Sequence, residues 1–227
     1  MHRTRLPRWA VERGVSLNRF EALAPGRTAL VNIDMQSAFV DEGQVYGNRH
    51  ARDIAGAVNT LSRAMRLAGA PVIWTRNTHT NDGPCAAPPW QYDPSQPGVA
   101  EGIAALTAGA GGHHLSAAMR VEDGDIVLDK YRYGAFSCPA GALGRTLEAL
   151  GIEMLVITGT LSNCCCESTA REANMAGYKV IVVSDAMAAV TDAEHNAALL
   201  NLRLMFADVR RTREVLAMIQ AAGVVLA

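Results

Sequence analysis

The chain has 227 residues, of which 49% are hydrophobic and 19% charged, with a formal net charge of -1 at pH 7. This length provides one large hydrophobic core and favours a single domain. The near-zero net charge gives no electrostatic reason to expect nucleic acid or an anionic membrane surface as a partner, so the expected partner is a small-molecule substrate.

Residues 1–24 precede the first predicted strand and form a basic N-terminal arm. Four large apolar residues are expected to pack this arm on the domain or on a neighbouring subunit; they are Trp9, Leu17, Phe20 and Leu23. The arm lacks the apolar core of a secretory signal, and no segment approaches a transmembrane length. We therefore expect a cytoplasmic protein.

Residues 25–227 are predicted to form one domain in which strands and helices alternate. TALVNID (28–34), a helix whose apolar side chains run from Ile54 to Met65, and PVIWT (71–75) predict a βαβ unit. Later predicted strands are DIVLD (125–129), MLVIT (154–158), KVIVVSD (179–185) and the short ADVRR (207–211). This alternation predicts a parallel sheet covered by helices on both faces.

Four later helices complete the predicted alternation. The first begins at Pro139 and is closed by Gly151, and the second begins near Asn163. The third begins at Thr191, whose spacing to Glu194 is that of a capping box, and the fourth includes Val215, Leu216 and Ile219.

The segment at about 77–124 interrupts the alternation with the run GPCAAPPWQYDPSQPG. Connections this long in a compact domain are usually functional or mobile, so a lid-like insertion is predicted, with an ordinary surface excursion as the alternative. Trp90 and Tyr92 are its candidates for a pocket wall.

The five cysteines are expected to be reduced thiols. Their odd number argues against a disulfide framework, and the adjacency of Cys164, Cys165 and Cys166 disfavours pairing among these three. The cluster also lacks the CxxC spacing and nearby histidine of a zinc site.

Cys165 is the candidate nucleophile because it lies in the first turn of the helix predicted after MLVIT. Unpaired backbone N–H groups and the positive end of the helix dipole favour a thiolate there, so a lowered pKa of Cys165 is expected. Cys164 and Cys166 are expected to be small buried residues that point away from Cys165.

Two charged residues join Cys165 at the carboxyl ends of predicted strands, where open parallel sheets bind their ligands. Asp34 ends the first strand and Lys130 follows DIVLD. The carboxylate can accept the thiol proton, and the ammonium can stabilise both anions. Each residue alone also fits a structural role, as a buried apolar side chain, a turn acceptor or a solvated cation, but the three together favour catalysis.

The sequence resembles the isochorismatase-like cysteine hydrolases from about Thr28 to the last helix. The resemblance rests on NIDMQSAF, KYRYGAF, GTLSNCCCESTAREA and VIVVSDAMAA, in the family's order and spacing. It is strongest to members that cleave amide or ureido C–N bonds, including ureidoacrylate, carbamoylsarcosine, biuret and maleamate amidohydrolases. It implies a three-layer α/β fold with a six-stranded, mainly parallel sheet in the order 3-2-1-4-5-6, and a homodimer or homotetramer.

The family's catalytic triad corresponds to Asp34, Lys130 and Cys165. The resemblance further implies a cis peptide bond at Thr160–Leu161 and an oxyanion hole formed by the N–H groups of Leu161 and Cys165. The implied reaction is hydrolysis of a small amide, ureido or carbamoyl compound through a thioester, without a cofactor.

Two departures from related enzymes refine this expectation. Nicotinamidases place a D-x-H pair and another nearby histidine around a metal, whereas TRNTH supplies only Asn77 and His79, with His113 next along the chain. We therefore expect no metal, and Asn77 becomes a candidate for hydrogen bonding to the substrate or, alternatively, a cap at the strand exit. Isochorismatases proper cleave a vinyl ether without needing the cysteine, so Cys165 favours C–N cleavage.

Four residues beside the motifs are further candidates to line the pocket, with ordinary packing as the alternative; they are Gln36, Phe39, Tyr131 and Tyr133. Three other functions remain open. They are vinyl-ether hydrolysis, a catalytically silent scaffold, and a thiol redox sensor or metal-binding module in which Cys138 or Cys85 could serve as resolving cysteine.

Overall fold

The computed structural model describes residues 1–226. Its six strands are β1 (Thr28–Ile33), β2 (Val72–Asn77), β3 (Ile126–Lys130), β4 (Met154–Thr160), β5 (Lys179–Ala188) and β6 (Asp208–Arg210). They form one sheet in the order β3-β2-β1-β4-β5-β6, and every neighbouring pair is parallel. The predicted fold class and strand order are confirmed.

The helices in chain order are α1 (Arg8–Val15), α2 (Ser37–Val40), α3 (Arg49–Asp53), α4 (Ala55–Leu67), α5 (Pro97–Leu106), α6 (Ala142–Ala149), α7 (Glu167–Met175), α8 (Asp192–Asn201) and α9 (Thr212–Ala221). Short 3-10 turns cover Pro25–Arg27 and Gly111–His113, and π-helical turns cover Ser162–Cys166 and Leu202–Phe206. The predicted Thr191–Glu194 capping box is present at the start of α8.

Two hydrophobic cores lie on opposite faces of the sheet. One contains apolar residues of α4 and α9, and the other contains residues of α6, α7 and α8. The strands contribute side chains to both cores, because successive side chains point to opposite faces of the sheet. Leu30 belongs to the first core, and Val31 belongs to the second. Every residue of β1 and β4 is buried, as in the centre of a three-layer α/β fold.

The predicted helix boundary at Pro139 is wrong by three residues. The helix α6 begins at Ala142, because Gly141 has φ 56°, a left-handed conformation that interrupts a right-handed helix. The helix predicted from Thr191 also differs at its end. The α-helix α8 ends at Asn201, and Leu202–Phe206 forms a π-helical turn.

The N-terminal arm packs on its own chain. Ala10 and Leu23 are buried, and Phe20 contacts the core beside α4 and α9. Trp9 and Leu17 are 54% and 60% exposed and so do not pack on the domain; their packing on a neighbouring subunit stays a prediction. The small side chain of Ala10, rather than the Trp9 ring, is the part of α1 that lies against the domain.

The long segment after β2 contains ordered structure. The helix α5 and the turn Gly111–His113 lie within it, and isolated bridges pair His79 with Thr107 and Gln36 with Leu115. Across residues 1–226, no helix combines the length and the apolar character needed to cross a lipid bilayer.

Candidate active site

The three predicted triad residues meet at the carboxyl edge of the sheet. The Lys130 Nζ lies 2.8 Å from Asp34 Oδ2 and also makes a side-chain hydrogen bond with Cys165. The exposed fractions of Asp34, Lys130 and Cys165 are 1%, 2% and 6%, respectively. The Lys130 cation therefore contacts both the Asp34 carboxylate and the Cys165 thiol in a buried environment, where charge interactions are strong.

Strand register brings these residues together. The β1–β4 pairing sets Ile33 opposite Gly159, so Asp34 and Thr160 follow at the same level. The β2–β3 pairing sets Asn77 opposite Lys130. Because register partners in a parallel sheet project to the same side, Asn77 and Lys130 share one face at this edge.

Asp34 is held in an unusual backbone conformation. Its φ of 50° makes it the single non-glycine residue with positive φ in the described part of the chain. Its Oδ1 accepts a 2.7 Å hydrogen bond from Thr75 Oγ1, and its N–H bonds to the Thr75 carbonyl oxygen at 3.2 Å. Positive φ is costly for a side chain with a Cβ and is typical of functional sites, so the turn serves to aim the carboxylate.

The groups around Lys130 together raise its pKa. Burial alone would lower it, but the Asp34 carboxylate and the Cys165 thiol outweigh the burial. A further hydrogen bond of 3.0 Å runs from Lys130 Nζ to the Arg132 carbonyl oxygen. Lys130 is therefore a permanent cation that pairs with Asp34. It is buried, so it is not a cation in a solvated loop.

The expected low pKa of Cys165 is wrong. A hydrogen bond with Cys164, burial, and the Asp34 carboxylate raise the pKa of Cys165 well above its usual range, although Lys130 acts in the opposite direction. The helix dipole favours a thiolate, but the Cys165 thiol is almost inaccessible to water and the nearby Asp34 carboxylate disfavours a second negative charge. In the resting site Cys165 is therefore a thiol that requires a base to become nucleophilic.

The orientation expected for Cys164 is also wrong. Cys164 is half-buried, and its side chain makes a hydrogen bond with Cys165 instead of pointing away from it. This bond and the nearby Lys130 lower the pKa of Cys164, against the effect of burial. The two residues are neighbours in the π-helical turn Ser162–Cys166, where the directions of adjacent side chains differ from those of a regular α-helix. Cys166, in contrast, is fully buried as expected.

The turn before Cys165 has the backbone geometry that the resemblance implies. The peptide bond Thr160–Leu161 is cis. The Leu161 carbonyl oxygen accepts hydrogen bonds from the N–H groups of Cys164 and Cys166, both at 3.1 Å. These bonds fold the chain tightly around Leu161 and hold the start of the helix against the end of β4.

Gln36 has a structural role in place of the predicted substrate contact. Its Nε2 donates to the carbonyl oxygens of Asn77 and His113 at 3.1 Å and 3.0 Å, and its Oε1 accepts from the Asn77 N–H at 2.6 Å. The side chain is fully buried, and its amide is used within the protein. Gln36 therefore fixes Asn77 at the end of β2, next to Lys130 in the register.

The predicted aromatic lining divides into buried and exposed residues. Phe39 is 9% exposed and stacks on Tyr46 with ring centroids 5.5 Å apart. Tyr131 is half-buried, and burial raises its pKa. Tyr133 is 40% exposed, and its hydroxyl accepts a 2.8 Å hydrogen bond from Gln91 Nε2.

The long segment places Tyr92, rather than Trp90, beside the nucleophile. Trp90 is 83% exposed, so its ring is in solvent and does not line an enclosed site. Tyr92 is half-buried, packs against His79 with ring centroids 5.1 Å apart and ring planes tilted by 52°, and hydrogen-bonds with Tyr133. Burial raises the pKa of Tyr92, and the Tyr133, Cys165 and Cys164 side chains act in the same direction.

The residues at the nicotinamidase-type metal position have other partners. His79 Nε2 lies 3.1 Å from Asn81 Oδ1, and His113 Nε2 lies 2.9 Å from Thr78 Oγ1. The expectation of a metal-free catalytic site stays a prediction.

Two residues of the site carried no clear signal in the sequence. Thr75 lies in the interior of β2, and only the strand register shows that its hydroxyl reaches Asp34. The residue pattern predicts only a packing role for Cys164, because it does not reveal the π-helical turn.

The chain is similar to known proteins in both sequence and structure. The isochorismatase domain model matches residues 28–214. Ureidoacrylate amidohydrolase RutB of Methylobacterium radiotolerans is 33% identical over 201 residues, which are 82% of this chain and 76% of that protein.

Two solved structures extend the comparison. A cysteine hydrolase from Pseudomonas syringae pv. phaseolicola superposes with a TM-score of 0.81 at 28% identity, covering 91% of this chain and 98% of the other. N-carbamoylsarcosine amidase from Thermoplasma acidophilum superposes with a TM-score of 0.67 at 26% identity, covering 82% and 96%.

Proposed function

The chain belongs to the isochorismatase family, a family of hydrolases, and from this premise we propose that it is a cysteine-dependent amidohydrolase. It cleaves a C–N bond of a small amide, ureido or carbamoyl compound through a thioester intermediate. The observation that carries this proposal is the contact of Cys165 with Lys130, whose ammonium lies 2.8 Å from the Asp34 carboxylate.

The first half of the reaction forms the thioester. Asp34 accepts the proton of the Cys165 thiol as the sulfur attacks the carbonyl carbon. The N–H groups of Leu161 and Cys165 stabilise the tetrahedral oxyanion. Asp34 then passes the proton to the departing nitrogen, so the C–N bond breaks and the acyl group remains on sulfur.

The second half releases the acid. Asp34 deprotonates a water molecule, which attacks the thioester carbon, and the proton returns to the Cys165 sulfur as the C–S bond breaks. Lys130 remains charged throughout and keeps Asp34 ionised and oriented. The raised pKa of Cys165 supports this sequence, because a resting thiol has to lose its proton to a base during the attack.

The substrate class is supported by the relatives and by the position of Asn77. One relative is named for ureidoacrylate, and one structural neighbour for N-carbamoylsarcosine; both substrates contain a carbamoyl nitrogen. Asn77 is fixed at the site edge by Gln36, and its side-chain amide offers both a donor and an acceptor to a ureido group. Phe39, Tyr131 and Tyr133 are proposed to shape the surrounding wall.

We also propose a homodimer or homotetramer located in the cytoplasm. Light scattering of purified protein over a range of concentrations would test the assembly. A monomer at all concentrations would contradict it.

The activity is tested by screening small carboxamide, ureido and carbamoyl compounds for ammonia release. Cys165→Ala and Cys165→Ser should lose turnover by about 10⁴-fold or more, because the nucleophile is removed. Cys85→Ala is the matched control, since this half-buried cysteine lies outside the triad, and it should retain activity.

Two results would contradict the proposal. Full activity in Cys165→Ala would refute the nucleophile assignment. Failure of every C–N substrate, together with hydrolysis of a vinyl ether that survives in Cys165→Ala, would favour the isochorismatase-type alternative.

A further inference from the structure

A histidine cluster lies outside the triad, where the N-terminal arm meets the domain. The His2 ring is stacked between two others, with centroid distances of 3.9 Å to His50 and 4.3 Å to His195. The carboxylate of Asp192, at the start of α8, borders the same group. The exposed fractions of His50 and His195 are 8% and 0%, and the side chain of His2 is 1% exposed.

The hydrogen bonds of His2 define its tautomer. The Ala189 N–H donates to His2 Nε2 at 3.0 Å, so that nitrogen carries a lone pair rather than a proton. His2 Nδ1 lies 2.8 Å from Asp192 Oδ1, which is an acceptor, so the imidazole proton is on Nδ1. A divalent cation can replace this proton, because loss of it leaves a nitrogen lone pair and a carboxylate oxygen facing each other.

His50 supplies the observation that points to a ligand. Its Nδ1 is buried and has no hydrogen-bond partner among the described residues; the nearest carboxylate oxygen given for it, Asp53 Oδ2, is 3.7 Å away, beyond hydrogen-bond distance. Buried polar atoms without a protein partner are rare, and an ion or a water molecule commonly satisfies them. A ligand atom from each of His2, His50 and Asp192 lies within 4.8 Å of the others.

We propose that His2, His50 and Asp192 form a binding site for a divalent transition-metal ion such as Zn²⁺. Two imidazole nitrogens and one carboxylate oxygen are ligands that zinc accepts, with a fourth position left for water. Ligands around a tetrahedral zinc ion are about 3.3 Å apart, so the three atoms need only small inward movements. The Asp192 carboxylate partly compensates the charge of the ion, and the two imidazoles bind it as neutral ligands.

The site would fasten the N-terminal arm to the catalytic side of the domain. Its ligands come from the arm, from α3 and from α8, which are far apart in the sequence. His195 lies between this site and the triad turn, because its Nδ1 is 2.8 Å from the hydroxyl oxygen of Ser162. The ion has a structural role here and takes no part in C–N cleavage, so the inference does not depend on the proposed activity.

The test is equilibrium dialysis of tag-free protein against Zn²⁺ and Co²⁺, followed by elemental analysis. The native chain should bind about one ion at this site, because a folded domain presents a preformed set of ligands. His2→Asn and Asp192→Asn should each weaken binding by about tenfold or more, since each removes one of three protein ligands. His114→Asn is the matched control: it removes an exposed histidine outside the cluster and should leave the affinity unchanged.

Two further readouts distinguish this site from metal binding at the cysteines and from a loss of folding in the variants. Co²⁺ bound here should lack the sulfur-to-metal absorption band that coordination by Cys164 or Cys165 would produce. Far-UV circular dichroism should show that both variants keep the native fold, because their positions lie at the edge of the domain. The inference is overturned if the folded native chain binds no ion, or if the affinity is unchanged in either His2→Asn or Asp192→Asn.

Discussion

Asp34 and Cys165 are joined in the candidate active site by their contacts with Lys130. Asp34 and Lys130 neutralise each other at 2.8 Å, and this pairing makes burial of both charges tolerable. Cys165 contacts Lys130, and its raised pKa favours the thiol, so its proposed reactivity depends on Asp34 rather than on the helix dipole.

Cys164 modulates the nucleophile, and its substitution gives the first prediction at the residue scale. The hydrogen bond with Cys164 is the largest effect raising the pKa of Cys165. Cys164→Ala should therefore lower the pKa of Cys165 and shift the pH profile of its alkylation by iodoacetamide to lower pH, as measured by peptide mass spectrometry. Cys85→Ala is the control and should leave the profile in place. A Cys164→Ala profile identical to that of the native chain would show that the two thiols do not interact.

At this scale the sequence predicted the three candidate triad residues but not their protonation. Asp34, Lys130 and Cys165 could be predicted because the ends of parallel strands converge. The pKa of Cys165 could not, because it depends on burial and on the Cys164 contact, both set by the π-helical turn. The sequence predicts a position near the site for Gln36, but its structural role depends on the positions of Asn77 and His113.

The contact between β1 and β4 determines the position of the catalytic turn. Gly159 has φ 110°, and a Cβ added to it would lie 2.0 Å from the Ile33 carbonyl oxygen, directly before Asp34. Glycine is therefore required for both conformation and space. The element that ends in the cis peptide bond can approach Asp34 only with a glycine at this position.

Gly159→Ala should accordingly destabilise the protein by about 3 kcal/mol or more, because backbone atoms must separate. Gly151→Ala is the matched control: its φ is also positive, at 64°, but no atom lies within 4 Å of the added Cβ. Gly151→Ala should lower the free energy of unfolding by about 1–2 kcal/mol. Urea unfolding measures both values, and equal costs for the two substitutions would contradict the proposed close contact.

An ion pair connects α4 to the loop before β3. Arg66 donates to both carboxylate oxygens of Asp125, at 2.8 Å and 2.5 Å, and Trp74 Nε1 donates to Oδ2 at 2.7 Å. Burial would raise the pKa of Asp125, but these hydrogen bonds outweigh it, and the pKa is lowered. Its stabilisation is therefore present above the unfolded pKa of about 4 and is lost as the pH falls through the lower folded value.

Asp125→Asn should lower the free energy of unfolding by about 2–3 kcal/mol at pH 7, because Arg66 loses its charged partner. The difference between native and variant should shrink as the pH falls below about 4, the unfolded pKa, and vanish below the lower folded pKa, where the native carboxylate is also protonated. Denaturant unfolding at several pH values measures this difference. A difference that is independent of pH would show that the carboxylate charge does not contribute.

The segment at about 77–124 connects the fold to the site at the scale of the whole molecule. It extends from the end of β2 and places Tyr92 near Cys165, while Trp90 remains in solvent. Arg132, just after Lys130, holds the segment through hydrogen bonds of 3.1 Å and 3.0 Å to the carbonyl oxygens of Cys85 and Ala86. The residues at the end of β3 therefore include the candidate catalytic Lys130 and also anchor the segment at about 77–124.

Tyr92→Ala should lower kcat/KM by about tenfold or more and increase the rate at which Cys165 is alkylated, because it uncovers the thiol. Trp90→Ala is the matched control from the same segment and should change neither quantity. Steady-state kinetics and alkylation rates measure both effects. Unchanged alkylation in Tyr92→Ala would show that Tyr92 does not cover the site.

The architecture could be predicted almost completely because strand and helix periodicities follow directly from burial. The sheet order came from the family resemblance, and the register and the packing of the arm required coordinates. Phe20 and Leu23 pack on the domain, whereas Trp9 does not, because apolar character alone does not specify which side of α1 faces the domain.

The central claim is that Cys165 forms a covalent acyl intermediate, and acid quenching during turnover tests it most directly. A C–N substrate identified by ammonia release is mixed with the native enzyme, quenched within one turnover and digested for mass spectrometry. We predict the acyl mass on Cys165, absent from Cys164 and Cys166 and absent in Cys165→Ala. Sustained hydrolysis of the substrate by Cys165→Ala, or an acyl group found on another residue, would contradict the claim.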